Sequence, residues 1–245
     1  MNRSIVNSHI INKIRATIPF FRGLKFEPIV ELDNLSTVAY EMLSLCDIEI
    51  DVEESFNSLD MNKKRVLFNQ QLNLINIINE QRVFINLSIT ELLRSDFILE
   101  IKRANIVPAA LSIELQNLPD IYQFTDIELN EFKYQVKKLQ ALGVELWLDD
   151  LDEELIDYFF HLDVVFYGGK IDKETFWSLR KNKKLLNFLI MRCNLICDKV
   201  LIEGIENDSD LKLVRATKAD YAQGFYWPAI CCFDDADGYS LDEAA

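Results

Sequence analysis

"LWLDDLDEE", residues 146–154, is the stretch on which the reading of this chain turns. An apolar run, Leu146-Trp147-Leu148, ends in two adjacent aspartates, Asp149 and Asp150. A buried strand delivers metal-binding oxygens to the end of a sheet in this way. Next, where a phosphate-handling loop would use glycine to let the backbone approach an anion, come Asp152, Glu153 and Glu154. Two readings are open: a working metal site with an unusual neighbour, or the remains of one.

Outward from this stretch, strand-like and helix-like patterns alternate. "PIVEL" (28–32) and "TVAYEML" (37–43) flank the turn "DNLS" as a hairpin, which makes the first strand antiparallel to its neighbour. "NKKRVLFNQQLNLINIINE" (62–80) sets Phe68, Leu72, Ile75 and Ile78 on one helical face. "VFINLS" (83–88) and "LSIEL" (111–115) read as strands, with a helix over 93–105 between them. Phe132, Val136 and Leu139 mark a helix that stops at Gly143. "VELWLDD" (144–150), "VVFYGGKI" (164–171) and "KVLIEGIE" (199–206) are further strands, the last two separated by one helix on Phe176, Leu179, Leu185, Leu186 and Leu189. "DSDLKLVRA" opens with capping residues, and "YAQGFYWP" (221–228) closes the pattern with aromatics that read as core. Near-continuously apolar strands alternating with helices predict a parallel sheet covered on both faces. At 245 residues, that is a single α/β barrel of (β/α)8 type with an irregular, partly antiparallel first strand. The expected organisation is an N-terminal segment (1–23), one domain (24–233) and a mobile acidic tail (234–245).

Composition narrows the function. The chain is 49% hydrophobic, enough for a substantial core, yet no apolar run reaches the length that spans a bilayer. The start lacks a signal-peptide pattern, and five cysteines without close pairing fit a reducing cytoplasm. Forty acids against 26 basic residues give a net charge of −14, which opposes binding to a nucleic-acid backbone and favours a metal or a partner protein with a basic surface. The basic run "RKNKK" (180–184) reads as the solvated start of a helix.

Barrel chemistry sits where strands end, because the following loops share one rim. The polar residues there are Glu41, Asn86, Glu114, Asp149, Asp150, Lys170, Glu203 and Gln223. This oxygen-rich set with one lysine suits Mg²⁺ or Mn²⁺. With only two histidines, a histidine zinc site or a Ser–His–Asp triad is excluded as the working reading. Acids packed this closely repel by roughly 1–3 kcal/mol per near pair unless a cation intervenes.

These residues resemble the EAL domain, the cyclic-di-GMP phosphodiesterase fold. "FEPIVEL" resembles the family's opening strand and "YEML" its Glu-Ala-Leu signature. "FINLS", "LSIEL", "WLDD", "KIDKETF", "IEGIE" and "QGFYWPA" resemble its later motifs in order. The resemblance implies that Glu41, Asn86, Glu114 and Asp149 hold one Mg²⁺ or Mn²⁺, and that Asp149, Asp150 and Glu203 hold a second. It implies that Lys170 steers a water or phosphate and that Gln223 supports the site.

Three departures are legible beside it. Leu45 stands where the signature normally carries a phosphate-contacting arginine, a charge-assisted contact worth about 1.5–3 kcal/mol. Leu151-Asp152-Glu153-Glu154 replaces a Phe-Gly-Thr-Gly loop, and Asn117 stands where a second glutamate is usual. Stand-alone EAL-like proteins of this size include enterobacterial members that inhibit the flagellar master transcription activator. The similarity therefore implies a degenerate, non-catalytic regulator that acts by protein binding, affecting motility, biofilm and virulence, with weak or no cyclic-di-GMP binding. The alternative is an active metal-dependent phosphodiesterase producing the linear dinucleotide.

Overall fold

The computed structural model describes residues 8–47, 55–56, 58–78 and 82–233. The tail 234–245, expected to be mobile, and residues 1–7 lie outside the described residues, as does the side chain of Ile78. The helices are α1 (Ser8–Thr17), α2 (Met61–Ile78), α3 (Phe97–Ala104), α4 (Asp126–Ala141), α5 (Glu153–His161), α6 (Lys173–Leu179), α7 (Lys183–Cys193) and α8 (Asp208–Arg215). The strands are β1 (Phe21–Glu31), β2 (Thr37–Cys46), β3 (Arg82–Ser88), β4 (Leu111–Gln116), β5 (Glu145–Leu148), β6 (Phe166–Ile171), β7 (Cys197–Ile202), β8 (Tyr221–Ala222) and β9 (Ile230–Phe233).

Strands β2 to β8 pair in sequence order, each parallel to the next. The ring closes through β1, which is antiparallel to both β2 and β8. The reversal follows from the hairpin, whose turn is fixed by Leu35 at φ 59° and by Asn34 Oδ1 accepting from Ser36 N at 2.7 Å. β9 adds to the outer half of β1, placing Cys231 opposite Lys25 and Cys232 opposite Leu24.

Local chemistry accounts for the boundaries. α4 starts in a capping box: Thr125 Oγ1 accepts from Glu128 N while Glu128 Oε2 accepts from Thr125 N at 2.8 Å. It ends before Gly143, whose φ of +85° favours glycine. The single helix expected on Phe176 to Leu189 is instead two, α6 and α7. Asn182 breaks it by accepting from Leu185 N with its side chain, and Leu185 is exposed rather than core. The helix expected over 93–105 begins only at Phe97, after a 3₁₀ turn at Glu91–Leu93. The strand expected over 144–150 stops at Leu148, because Asp150 takes a left-handed φ of 45°.

Two cores position the site. The larger lies between barrel and helices, where Phe68, Leu72 and Ile75 of α2 are buried as expected. The smaller fills the barrel floor with Ile29, Ala39, Phe84, Trp147 and Leu201, flanked by Tyr167 and Tyr221. Gly168 makes room for it, since a Cβ there would stand 2.3 Å from the Trp147 ring. Side chains alternate across a strand, so the residue two positions above each floor residue also faces inward. Those residues are Glu41, Asn86, Asp149, Glu203 and Gln223, with Lys170 above Gly168; on the reversed strand β1 the counterpart of Ile29 is Glu27.

Candidate functional site

Above the aromatic floor, Lys170 Nζ stands amid the carboxylates. It lies 2.5 Å from Glu203, 2.9 Å from Glu114, 3.5 Å from Glu41 and 3.8 Å from Asp149. Lys170 is 1% exposed, so its charge is almost wholly neutralised by these partners rather than by water. Around it, Asn86 Nδ2 donates to Glu41 Oε1 at 3.2 Å and Gln116 Nε2 to Asp149 Oδ2 at 3.3 Å. Gln223 Nε2 bridges two acids, donating to Glu41 Oε2 at 2.6 Å and to Glu27 Oε2 at 3.0 Å. Glu27 is paired in turn with Lys25 at 2.6 Å.

The electrostatics follow from burial set against these contacts. Burial pushes Glu41 up, but Lys170, Gln223 and Asn86 outweigh it and hold the carboxyl below its ordinary value. Glu114 goes the other way: burial, Asp149 and Glu41 raise it well above a normal glutamate despite Lys170. Burial lifts Glu203 to about 7 against the pull of Lys170. Lys170 loses to burial but gains more from Glu114, Glu203, Glu41 and Asp149, so it stays protonated.

Seven of the ten site residues expected from sequence thus meet: Glu41, Asn86, Glu114, Asp149, Lys170, Glu203 and Gln223. Asp150 and Asn117 stand apart, on the wall of an adjoining cavity of about 680 Å³. Leu45 is half-buried and is not among that cavity's lining residues. Phe56, Leu67 and Phe68 form part of the apolar wall; Glu91, Asp149, Asp150 and Asp152 supply its acids, and Lys64 is its one basic residue among the described residues. Sequence reading missed Glu27 and Gln116. Gln116 carried a signal, since it follows Glu114 by the two-residue step that keeps a side chain on the same face.

The acidic loop is anchored at both ends. Leu151 is fully buried and its N–H donates to Lys170 O at 3.0 Å; Asp152 caps α5 by accepting from Leu155 N at 2.8 Å. Asp152→Ala should therefore cost about 1 kcal/mol in a urea melt through loss of the cap. A cost near zero would mean that the cap does not hold the loop. The aromatics after the site divide: Trp227 packs against the larger core as expected, whereas Phe225 is 78% exposed and sits under Lys25 Nζ, 5.5 Å from the ring centroid. Burial lifts the Cys193 thiol to about 12 and that of Cys46 to about 11, which keeps both unreactive near neutral pH.

An oxygen-liganded divalent cation fits the donor set. Asn86 Oδ1 and Glu114 Oε2 are buried oxygens with no hydrogen-bond partner, on residues directly opposite each other in β3 and β4. Among the described residues no three acids, cysteines or histidines are arranged to ligate one ion as they stand; Lys170 Nζ takes the point of convergence. No helix among the described residues is long and apolar enough to cross a membrane.

The family model described as "EAL domain" matches residues 22–229. The chain belongs to the EAL domain family. Solved EAL structures share the fold. The EAL domain protein from Listeria monocytogenes is 18% identical with a TM-score of 0.68, and the match covers 94% of each chain. The FimX EAL domain is 19% identical with a TM-score of 0.70, covering 89% of this chain and 94% of that one. The EAL enzyme Bd1971, in a form with cAMP and cyclic-di-GMP bound, is 17% identical with a TM-score of 0.71; the match covers 91% of this chain and 66% of Bd1971. No curated protein matches the sequence.

Proposed function

We propose that this EAL domain is a regulator that works by binding another protein and turns over cyclic-di-GMP poorly or not at all. The observation that carries the reading is the wall of the cavity: Glu91, Asp149, Asp150 and Asp152 line it against Lys64 alone among the described residues, and the resemblance puts Leu45 where the family carries a phosphate-contacting arginine. A doubly charged dinucleotide entering this cavity meets acids and loses a charge-assisted contact, lowering affinity about 10–100-fold relative to an arginine-bearing EAL domain. The partner class that the resemblance implies is a transcription activator of motility genes with a basic surface, which suits a chain of net charge −14 in the cytoplasm. The proposed domain is residues 24–233, with Ile11 and Ile14 of α1 and Ile18 just after it packing from the preceding segment into its core.

A second reading, an active phosphodiesterase, is favoured by the complete oxygen set and by the unpartnered Asn86 Oδ1 and Glu114 Oε2. In that reading Glu41, Asn86, Glu114, Asp149, Asp150 and Glu203 hold Mg²⁺ or Mn²⁺. A bound ion there would activate water and stabilise a leaving oxygen. Lys170 would orient the scissile phosphate and Gln223 would hold Glu41 in place. BlrP1 from Klebsiella pneumoniae, an 18% identical fold relative crystallised with manganese and cyclic-di-GMP, shows that pairing in another protein (TM-score 0.64; 86% of this chain and 58% of that one covered).

The deciding experiment incubates the purified chain with Mn²⁺ and cyclic-di-GMP, follows the linear product by chromatography and measures binding by calorimetry. The expected result is no product above the metal-only background and only weak binding heat. Turnover that disappears in Glu41→Ala would sink the regulatory reading.

A further inference from the structure

We propose that the outward face of α7 is a docking surface for an acidic amphipathic helix of another protein. Four large apolar residues on and just beyond this helix stand open to solvent: Leu185 at 50% exposure, Phe188 at 48%, Met191 at 57% and Leu195 at 52%. The three-residue spacing of Leu185, Phe188 and Met191 keeps them on one side of a 3.6-residue helix, and Leu195 follows in the turn beyond its end. Leu186, Leu189, Ile190 and Cys193 occupy the other side and are buried against the barrel. Single exposed apolar side chains need no explanation, but a continuous row of four marks a contact surface.

Charge selects the occupant. Between residues 175 and 197 there is no acid, while Arg180, Lys181, Lys183, Lys184 and Arg192 are basic, in a chain of net charge −14. Arg180 and Arg192 are ion-paired with Asp210 and Asp157, so the positive field beside the apolar row comes from Lys181, Lys183 and Lys184 at the start of the helix, on an otherwise negative molecule. Arg192 lies beside the row, ion-paired with Asp157 of α5 and 6.0 Å from the Phe188 ring centroid. At the N-terminal end of the helix Lys183 and Lys184 are exposed.

An extended anionic surface such as a membrane or nucleic acid would meet the repulsion of the whole molecule. A single helix is about 10 Å across, comparable to the screening length at physiological salt, so the turns in contact with the row sit within reach of the lysines while acids farther away are largely screened. Such a helix would set aliphatic or aromatic residues at i, i+3/i+4 and i+7 against Leu185, Phe188 and Met191, with glutamates or aspartates toward Lys183 and Lys184. This surface lies outside the nucleotide site, and the inference holds whether or not the barrel rim hydrolyses anything.

The test titrates the full chain with a labelled synthetic peptide of about 20 residues, leucines on one helical face and glutamates on the other, and reads fluorescence anisotropy. A scrambled peptide of the same composition, a lysine-for-glutamate version and phosphatidylserine vesicles serve as alternative probes. The expected result is saturable binding of the acidic amphipathic peptide alone. Phe188→Ser with Met191→Ser should weaken it at least about tenfold. Lys183→Glu with Lys184→Glu should weaken it similarly at low salt, the difference shrinking at about 0.5 M salt. All four positions are exposed, so both variants should melt with the wild type. The proposal is overturned by no binding, by equal binding of the scrambled or basic peptide, by binding of vesicles without peptide, or by self-association of the chain that Phe188→Ser abolishes.

Discussion

Lys170→Met is expected to destabilise the protein by about 3–5 kcal/mol, because it leaves buried carboxylates without their cation. Glu41, Glu114, Asp149 and Glu203 all lie within 3.8 Å of Nζ, and the ammonium is the charge that lets them share one chamber. For a chain of this length the loss corresponds to roughly 6–20 °C in Tm. The pH dependence carries a sign that can be checked. Glu203 is raised from 4.5 to about 7, so its contribution is fully present below pH 4.5 and is lost as pH rises through about 7. Without Lys170 the ionised acids repel with nothing between them, so the Tm gap between variant and wild type should be wider near pH 8 than near pH 6. Millimolar Mn²⁺ should narrow that gap by restoring a cation. A variant that melts within 2 °C of wild type at both pH values would show that Lys170 does not hold the cluster together.

The strand-end acids were legible because their positions depend on two simple periods. Once the floor residues are inward, the two-residue step carries Glu41, Asn86, Asp149, Glu203 and Gln223 inward with them, whatever the details of packing. The same step turns Glu27 inward, but its place opposite Glu41 depends on a register shift between Ile29 and Val30 that no local pattern announces. The break between α6 and α7 was hidden for a related reason. The apolar spacing runs through Arg180–Asn182, and only the competing side-chain cap of Asn182 interrupts the helix. Phe225 misled because aromatic content indicates core only on average; here the chain turns at Gly224 and the ring lies under Lys25 at the surface. The absence of glycine from the loop after Asp150 is plain in the sequence, but its anchoring by Leu151 needs the third dimension. Leu151 Cδ1 occupies the space that a Cβ at Gly169 would take, 2.4 Å away.

Gly224→Ala is the substitution expected to damage fold and site together, by about 3–5 kcal/mol from backbone strain and overcrowding combined. Gly224 has φ +152°, which an L side chain avoids, and a Cβ there would stand 2.3 Å from Ile205 O and 2.4 Å from Ile205 N. Both atoms are backbone and already engaged: Ile205 N donates to Gln223 O at 3.1 Å, and Tyr226 N donates to Ile205 O at 2.9 Å. No rotamer change can relieve the clash, so the two segments must part. Gln223 is the adjacent residue, and its amide is what bridges Glu27 and Glu41. Gly143→Ala is the control. Its φ of +85° is also left-handed, but its Cβ would meet only Pro108 Cβ at an ordinary 3.4 Å, so the expected cost is about 1 kcal/mol. Urea melts of the two variants separate strain from crowding. Equal losses would show that the φ alone matters at both positions and that the close approach of Gly224 to Ile205 does not brace the rim. A much larger loss for Gly224→Ala, with Gly143→Ala near its expected value, would tie the integrity of the carboxylate chamber to one backbone contact behind Gln223.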